Sequence, residues 1–396
     1  MSEAESAINR RIREGRAYLI AWQNTKRASY FEGDENLQSV LRMYLGEDAN
    51  HHWEILQHVG RQAAVEMDLL ARSSNRDENL PRLRRHDEVG TRLEEVVLHP
   101  DYHSLGSTIW ASGIMELFGQ PGKETLAGAL GYLVAHNGEA GHLCPIACTA
   151  GLIKLLQRVG TLEQKERLLP RLTSTDYAQR LHASQFVTEV QGGSDVGAND
   201  CLAYNDPARP EMYRIVGEKW FCSVADAGVF LVTARPEGSE AEGTKGLGLF
   251  LVPRTIDGHT NHFAIRRLKY KLGTRSMASA EIDFDHAIAE PIGFVHRGFK
   301  NLISIVLDTS RVHNAVAACG MMRRACVEAH SFAEHRIAFG GRVLDYPLIQ
   351  LSLARMKLQT AAAVATTFRI LDTTDRLTLD PEQPELSGAR RDRKSV

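Results

Sequence analysis

FVTEVQGGSDV, residues 186–196, decides the reading of this chain. An apolar start runs into a Thr-Glu pair, then two glycines, then Ser-Asp. Read as a loop after a strand, Gly192 and Gly193 remove Cβ and allow positive φ. Successive backbone N–H groups can then form an anion-binding concavity, with the Ser194 hydroxyl as a further donor. Such a loop suits a phosphate or a cofactor carbonyl; a plain β-turn with Ser-Asp capping is the equal alternative. A nucleophile elbow, Gly-x-Ser-x-Gly, fails because the fifth residue of the frame is Val196.

On the N-terminal side of this loop the texture is helical. LQSVLRMYLG and HHWEILQHVGRQAAVEMDLLARS carry apolar residues at spacings of three and four. The stretch from Thr125 to Gly160 is apolar on more than one side and predicts buried helices. On the C-terminal side, YRIVGEKWFCS, VFLVTAR, GLGLFLVPR, HFAIRRLKY and AEIDFDHA are short and β-rich, punctuated by Gly, Pro and Asp-Gly. Helical periodicity returns near Gly298, and a second long helix is predicted over about Tyr346 to Asp372. The fold class is therefore α+β: an N-terminal helical domain over 1–182, a middle antiparallel β-domain over 183–292, and an incomplete C-terminal helical bundle over 293–396. From about residue 374 the chain has almost no apolar residues and is expected to be a loose tail.

Composition narrows the partners. A chain of 396 residues exceeds what one core supports, so two or three domains are expected. Lys+Arg (47) nearly balance Asp+Glu (49), which gives no support to a nucleic-acid or membrane surface. MSEAESAINRR has no apolar core of a secretory signal, and no apolar run is long enough to span a bilayer. Six cysteines in such a length form no disulfide framework, so a reducing cytoplasm is expected. Cys144 and Cys148, with His142 nearby, lack the second ligand cluster a closed zinc site needs and are read as core residues.

Other motifs are weaker. GQPGKET is no P-loop and no Gly-x-Gly-x-x-Gly occurs. Trp220 in GEKWFCS is predicted in a strand beside the Gly-rich loop, as core or as the wall of a planar ligand. Arg336 and Phe339 in EHRIAFGG are predicted at the end of a long helix, where Arg336 either favours the negative helix terminus or clamps a phosphate. His51, His52, His99 and His103 are read as ordinary polar positions.

In order, FVTEVQGGSDV, GEKWFCS, KLGTRSMASAEIDF, LDTSRV and HRIAFGG resemble the acyl-CoA dehydrogenase family of flavoproteins, and RLKYKLGTRSMAS and MMRRA resemble its AidB-like, alkylation-response branch. The resemblance covers about residues 85 to 370. It implies FAD between the β-domain and the bundle. Val187 and Thr188 would contact the isoalloxazine, Gly193 and Ser194 would approach the flavin phosphates and the substrate, and Trp220, Phe221 and Cys222 would wall the ring. Arg336 and Phe339 would reach the FAD of a neighbouring subunit, so a dimer or tetramer is expected, and Arg311 would sit near the CoA of an acyl-CoA thioester. The implied reaction is α,β-dehydrogenation, with hydride passing to flavin N5 and electrons onward to a flavoprotein or other acceptor.

The catalytic base is the departure from the family. Most members carry a Glu in a Trp/Tyr-Glu-Gly loop, which this sequence lacks; one branch carries it on the helix before the Arg, where Ser310 stands here. Asp308 is read as a helix partner of Arg311. No base is assigned, and the polar end is read as a truncation or shifted frame. The alternative function is an inactive flavoprotein acting by flavin binding or by protein or DNA contacts, the DNA role being disfavoured by the charge balance.

Overall fold

The computed structural model describes residues 3–26, 29–46, 49–138 and 140–380. The N-terminal region begins with α1 (Glu3–Lys26), α2 (Glu35–Leu45) and α3 (Ala49–Gln62), the last running through a π-helical turn (Ala63–Met67) into α4 (Asp68–Ser74). Asp34 caps α2 by accepting the Leu37 N–H at 3.1 Å, and Leu37, Val40 and Leu41 form its buried stripe. After a hairpin come α5 (Pro100–Ala111), α6 (Ile114–Leu117), α7 (Glu124–Ala135), α8 (Ala140–Val159) and α9 (Leu162–Leu172). Every residue of α7 is buried, as a helix apolar on all sides must be.

The hairpin, β1 (Arg82–His86) with β2 (Arg92–Val97), interrupts a region whose sequence predicts helix throughout. Its strands are charged and mostly exposed, so they lack the apolar alternation that marks a half-buried strand. Arg84 and Glu95 pair directly across it. Buried Glu94 accepts the Ile265 N–H at 2.6 Å and so fastens the hairpin to the sheet.

The middle region holds β3 (Ala183–Phe186), β4 (Leu202–Asp206), β5 (Arg209–Ser223), β6 (Val229–Pro236), β7 (Gly248–Pro253), a minor hairpin β8 (Thr255–Ile256) and β9 (His259–Thr260), β10 (Phe263–Leu268) and β11 (Ser279–Pro291). The main sheet runs β10-β11-β5-β4-β6-β3, with β7 joined to β6 and β11. The antiparallel expectation needs one correction: β3 and β4 both pair with β6 in parallel. Strands β6 and β7 read as unbroken apolar runs because both faces are covered. Val229, Leu231, Leu249 and Leu251 enter the helical core, while Phe230, Val232, Phe250 and Val252 enter the core of the β-region.

The C-terminal region is α10 (Gly298–Asn301), a π-helical turn (Leu302–Leu307), α11 (Asp308–His335), a tight hairpin β12 (Ile337–Ala338) and β13 (Gly341–Arg342), and α12 (Pro347–Leu379). The expectation of a loose tail from about 374 is corrected here: the helix continues to Leu379, with Thr374 and Asp375 buried. Its cause is long-range. The Asp375 carboxylate accepts the N–H groups of Glu124 (2.6 Å) and Thr125 (2.8 Å), capping α7 from another element. Residues 381–396 of the expected tail lie outside the described residues.

Candidate active site

The loop after β3 is fixed by a buried ion pair. Lys219 Nζ, on β5, donates to Glu189 Oε1 at 2.6 Å, to the Val187 carbonyl at 3.2 Å and to Thr233 Oγ1 at 3.2 Å. Glu189 also accepts the N–H groups of Asp200 and Cys201. Burial works against the Glu189 carboxylate, but Lys219 and these donors outweigh it and hold its pKa below the usual range. The acid of the Thr-Glu pair is therefore a structural anchor. Its partner lies thirty residues on, in GEKWFCS, and nothing local in the sequence marks it.

The two glycines act differently from their expected role. Neither Gly192 nor Gly193 has positive φ among the described residues. Gly192 is needed for close approach: a Cβ there would stand 1.9 Å from Asn199 Oδ1. Asn199 in turn donates to the Val187 carbonyl at 2.6 Å. At Gly193 a Cβ would stand 3.6 Å from Thr188 Cγ2, an ordinary contact, so packing within the chain does not require glycine there. Gly193 and Ser194 are exposed, and Val187 and Thr188 are half-buried.

Trp220 lies beside this loop, its backbone N–H donating to the Thr188 carbonyl at 2.9 Å. Between the pairs Cys222↔Ala280 and Lys219↔Ile282 the register shifts, so Trp220 and Phe221 face Glu281 alone in a β-bulge. Lys269 stands over both rings, 3.8 Å from Trp220 and 4.4 Å from Phe221, and is itself held by Glu281 at 2.8 Å. Phe221 is half-exposed, and Tyr270 and Leu272, just past the end of β10, are exposed. The Cys222 side chain is fully buried in the core of the β-region, so it cannot wall a ligand as expected.

Next to this platform is a largely apolar cavity of about 610 Å³. Gln185 and Ser223 line it from the sheet, Cys144 and Cys148 from α8, and Ser310 and His313 from α11. Ser223 is two residues from Phe221 on β5, hence on the same face, and Gln185 is two residues before Val187 in the chain. Cys144 and Cys148 are thus cavity walls as well as packing residues. A hydrogen bond from Cys148 lowers the Cys144 thiol, and burial brings the nearby Lys271 ammonium down to about 8. Lys271 donates to Thr274 Oγ1, the Met277 carbonyl and Ser279 Oγ. Ser310 spends its hydroxyl on the Val306 carbonyl at 3.2 Å and offers no base. Arg311 is exposed one residue further along α11.

Arg336 and Phe339 are not in this cluster. Arg336 follows the last residue of α11, and its guanidinium has no partner among the described residues. Phe339 is beyond the helix end where it was expected. It forms the tip of the β12–β13 hairpin with Gly340, both at positive φ, and is 99% exposed. A bulky residue held there is strained; its ring meets Tyr346 edge-on at 6.5 Å, and its carbonyl accepts the Tyr346 hydroxyl at 3.2 Å. Among the described residues no group of three His, Cys, Asp or Glu side chains could hold a metal ion, and no helix is long and apolar enough to cross a membrane.

Known proteins share this architecture. Residues 22–179 match the adaptive response protein AidB N-terminal domain. Residues 184–287 match the acyl-CoA dehydrogenase middle domain and 296–389 its C-terminal domain, together half of the chain. Acyl-CoA dehydrogenase family member 11 of Caenorhabditis elegans is 34% identical over 79% of this chain and 50% of its own length. The putative acyl-CoA dehydrogenase AidB of Escherichia coli is 32% identical over 86% of this chain and 62% of its own. The crystal structure of Caenorhabditis elegans ACDH-11 with C11-CoA superimposes with a TM-score of 0.83 at 29% identity, over 90% of this chain and 62% of that one. The chain thus spans between half and about three-fifths of the length of these relatives. It belongs to the acyl-CoA dehydrogenase family, with an N-terminal region of the AidB type.

Proposed function

We propose that this chain builds the site of an FAD-dependent acyl-CoA oxidoreductase, with the flavin ring against Val187, Thr188, Trp220 and Phe221 and the acyl thioester in the adjoining cavity. One observation carries the reading: an aromatic platform and a largely apolar cavity lie side by side, linked by Phe221–Ser223 and Gln185–Val187. The residues fit a flavin. The hydroxyls of Thr188 and Ser194 make no hydrogen bond among the described residues, so both can meet a ligand. Gly193 leaves room for backbone approach, and Lys269, over the two rings and paired with Glu281, places a cation at the platform. When bound, FAD supplies a hydride acceptor for α,β-dehydrogenation of an acyl-CoA.

The cavity would exclude water from the acyl group, and Arg311 would meet the CoA phosphates. The C11-CoA bound to the ACDH-11 homologue supports a thioester ligand. Arg336 and Phe339 would reach the FAD of a second copy, a role in keeping with the strained, exposed Phe339, and exposed Leu348, Leu351 and Leu358 on α12 favour such an assembly. An electron-accepting flavoprotein completes the cycle, and domain limits at 182 and 292 belong to the same reading. A flavin-binding protein without turnover is the second reading, favoured by Ser310 at the position of one branch's base. The test is anaerobic addition of acyl-CoAs to the FAD-loaded protein. Bleaching of the flavin band by at least one thioester is expected; retained colour with every chain length tested would favour the second reading.

A further inference from the structure

The far side of the cavity from the sheet carries a polar group that the dehydrogenation does not use. Glu124, the first residue of α7, lines the cavity and pairs with Lys154 of α8 at 2.8 Å. Lys154 is ten residues beyond Cys144, about 15 Å along the helix at its usual rise. His313 lines the same space from α11, with Phe118 5.0 Å from its ring. The imidazole makes no hydrogen bond among the described residues. Burial, aided by the charge of Lys154, brings its pKa down to about 4, so the ring is neutral near pH 7 and offers one donor and one acceptor.

On the acyl-CoA reading above, we propose that His313 reads the distal end of the acyl group and selects one carrying an uncharged hydrogen-bonding terminus, a hydroxyl foremost. A bare alkyl end would displace water and leave the imidazole without a hydrogen-bond partner, which costs about 1–3 kcal/mol. A terminal carboxylate would face Glu124, and a terminal ammonium would meet a carboxylate that Lys154 already pairs, so the pair rewards neither. A hydroxyl can donate to one ring nitrogen or accept from the other, at little cost in charge. A site built around a hydrogen bond rejects the analogue lacking it far better than a greasy pocket rejects one that has it.

The experiment is calorimetric titration of the FAD-loaded protein with hexanoyl-CoA and with 6-hydroxyhexanoyl-CoA. It is repeated on His313→Leu and His313→Asn, with thermal melting to establish that both variants fold. The wild type is expected to bind the hydroxylated thioester about ten-fold more tightly or better. His313→Leu loses that preference, and His313→Asn, which keeps a donor and an acceptor, retains part of it. Equal affinities in the wild type, or a preference that His313→Leu leaves intact, overturn the assignment while the acyl-CoA reading stands. Failure of both thioesters to bind overturns both.

Discussion

Two Glu–Lys pairs divide this molecule. Glu189–Lys219 and Glu124–Lys154 have nearly the same length, 2.6 and 2.8 Å, and both join distant segments. The first is closed. Each hydrogen of the ammonium has an acceptor, the carboxylate takes two further backbone N–H groups, and neither side chain meets solvent. The second stands at a cavity wall, with Lys154 16% exposed. A closed pair fixes a backbone and leaves no binding capacity; a pair at a wall keeps some. The chemistry of the two partners is identical, so their surroundings alone assign their duties.

The largest effect should come from opening the closed pair. Lys219→Met strands a buried carboxylate and is expected to cost about 3–5 kcal/mol in denaturant unfolding, while the double variant Lys219→Met/Glu189→Leu should recover much of it. A loss below about 1 kcal/mol in the single variant would remove the distinction between the pairs. Acid probes the same point. The folded pKa of Glu189 lies below its unfolded value, so its contribution is present above the unfolded carboxylate pKa and fades as pH falls through the folded one. Unfolding free energy of the wild type should thus fall on acidification below the ordinary glutamate range, and the double variant should show less of that slope.

A smaller effect is expected at Asp375, which caps the helix that carries Glu124. Asp375→Ala should cost about 1 kcal/mol, within the 0.5–2 range for lost caps. No change would mean that the end of α12 is not tied to α7. Glu124→Gln should cost about as much or less, because Lys154 can turn to solvent. A cost matching that of Lys219→Met would show that the second pair is as structural as the first.

Much of the β-region could be seen in the sequence because its signals are local. The apolar runs of β6 and β7, and the change of texture after residue 182, needed no distant partner. The aromatic platform was legible in part: Trp220 does adjoin the Gly-rich loop, but the bulge that turns Phe221 outward and Cys222 inward is set by pairing with β11. What stayed hidden is long-range. Lys219 looks like any strand lysine until Glu189 is placed beside it, and Thr374–Leu379 looks like a tail until Asp375 meets α7. The β1–β2 hairpin was hidden for another reason, since its charged strands owe their place to Glu94 and not to apolar alternation. The glycines misled by type: Gly192 serves packing against Asn199 rather than a left-handed turn.

The smallest stability effect is expected at the hairpin tip. Phe339→Gly relieves a positive-φ conformation and removes an exposed edge-on contact with Tyr346, so the melting temperature should change little. If a second copy uses Phe339 against its flavin, the same variant should lose FAD more readily; unchanged retention would confine the flavin to residues of one chain.

The most direct test of the whole account is the visible absorption spectrum of the protein after incubation with FAD and gel filtration, for the wild type and for Lys219→Met/Glu189→Leu. The account predicts a retained flavin spectrum in the wild type, and a folded double variant that retains much less because its Val187–Ser194 loop has lost its anchor. A wild type that emerges colourless, or a double variant that holds FAD equally well, would contradict it.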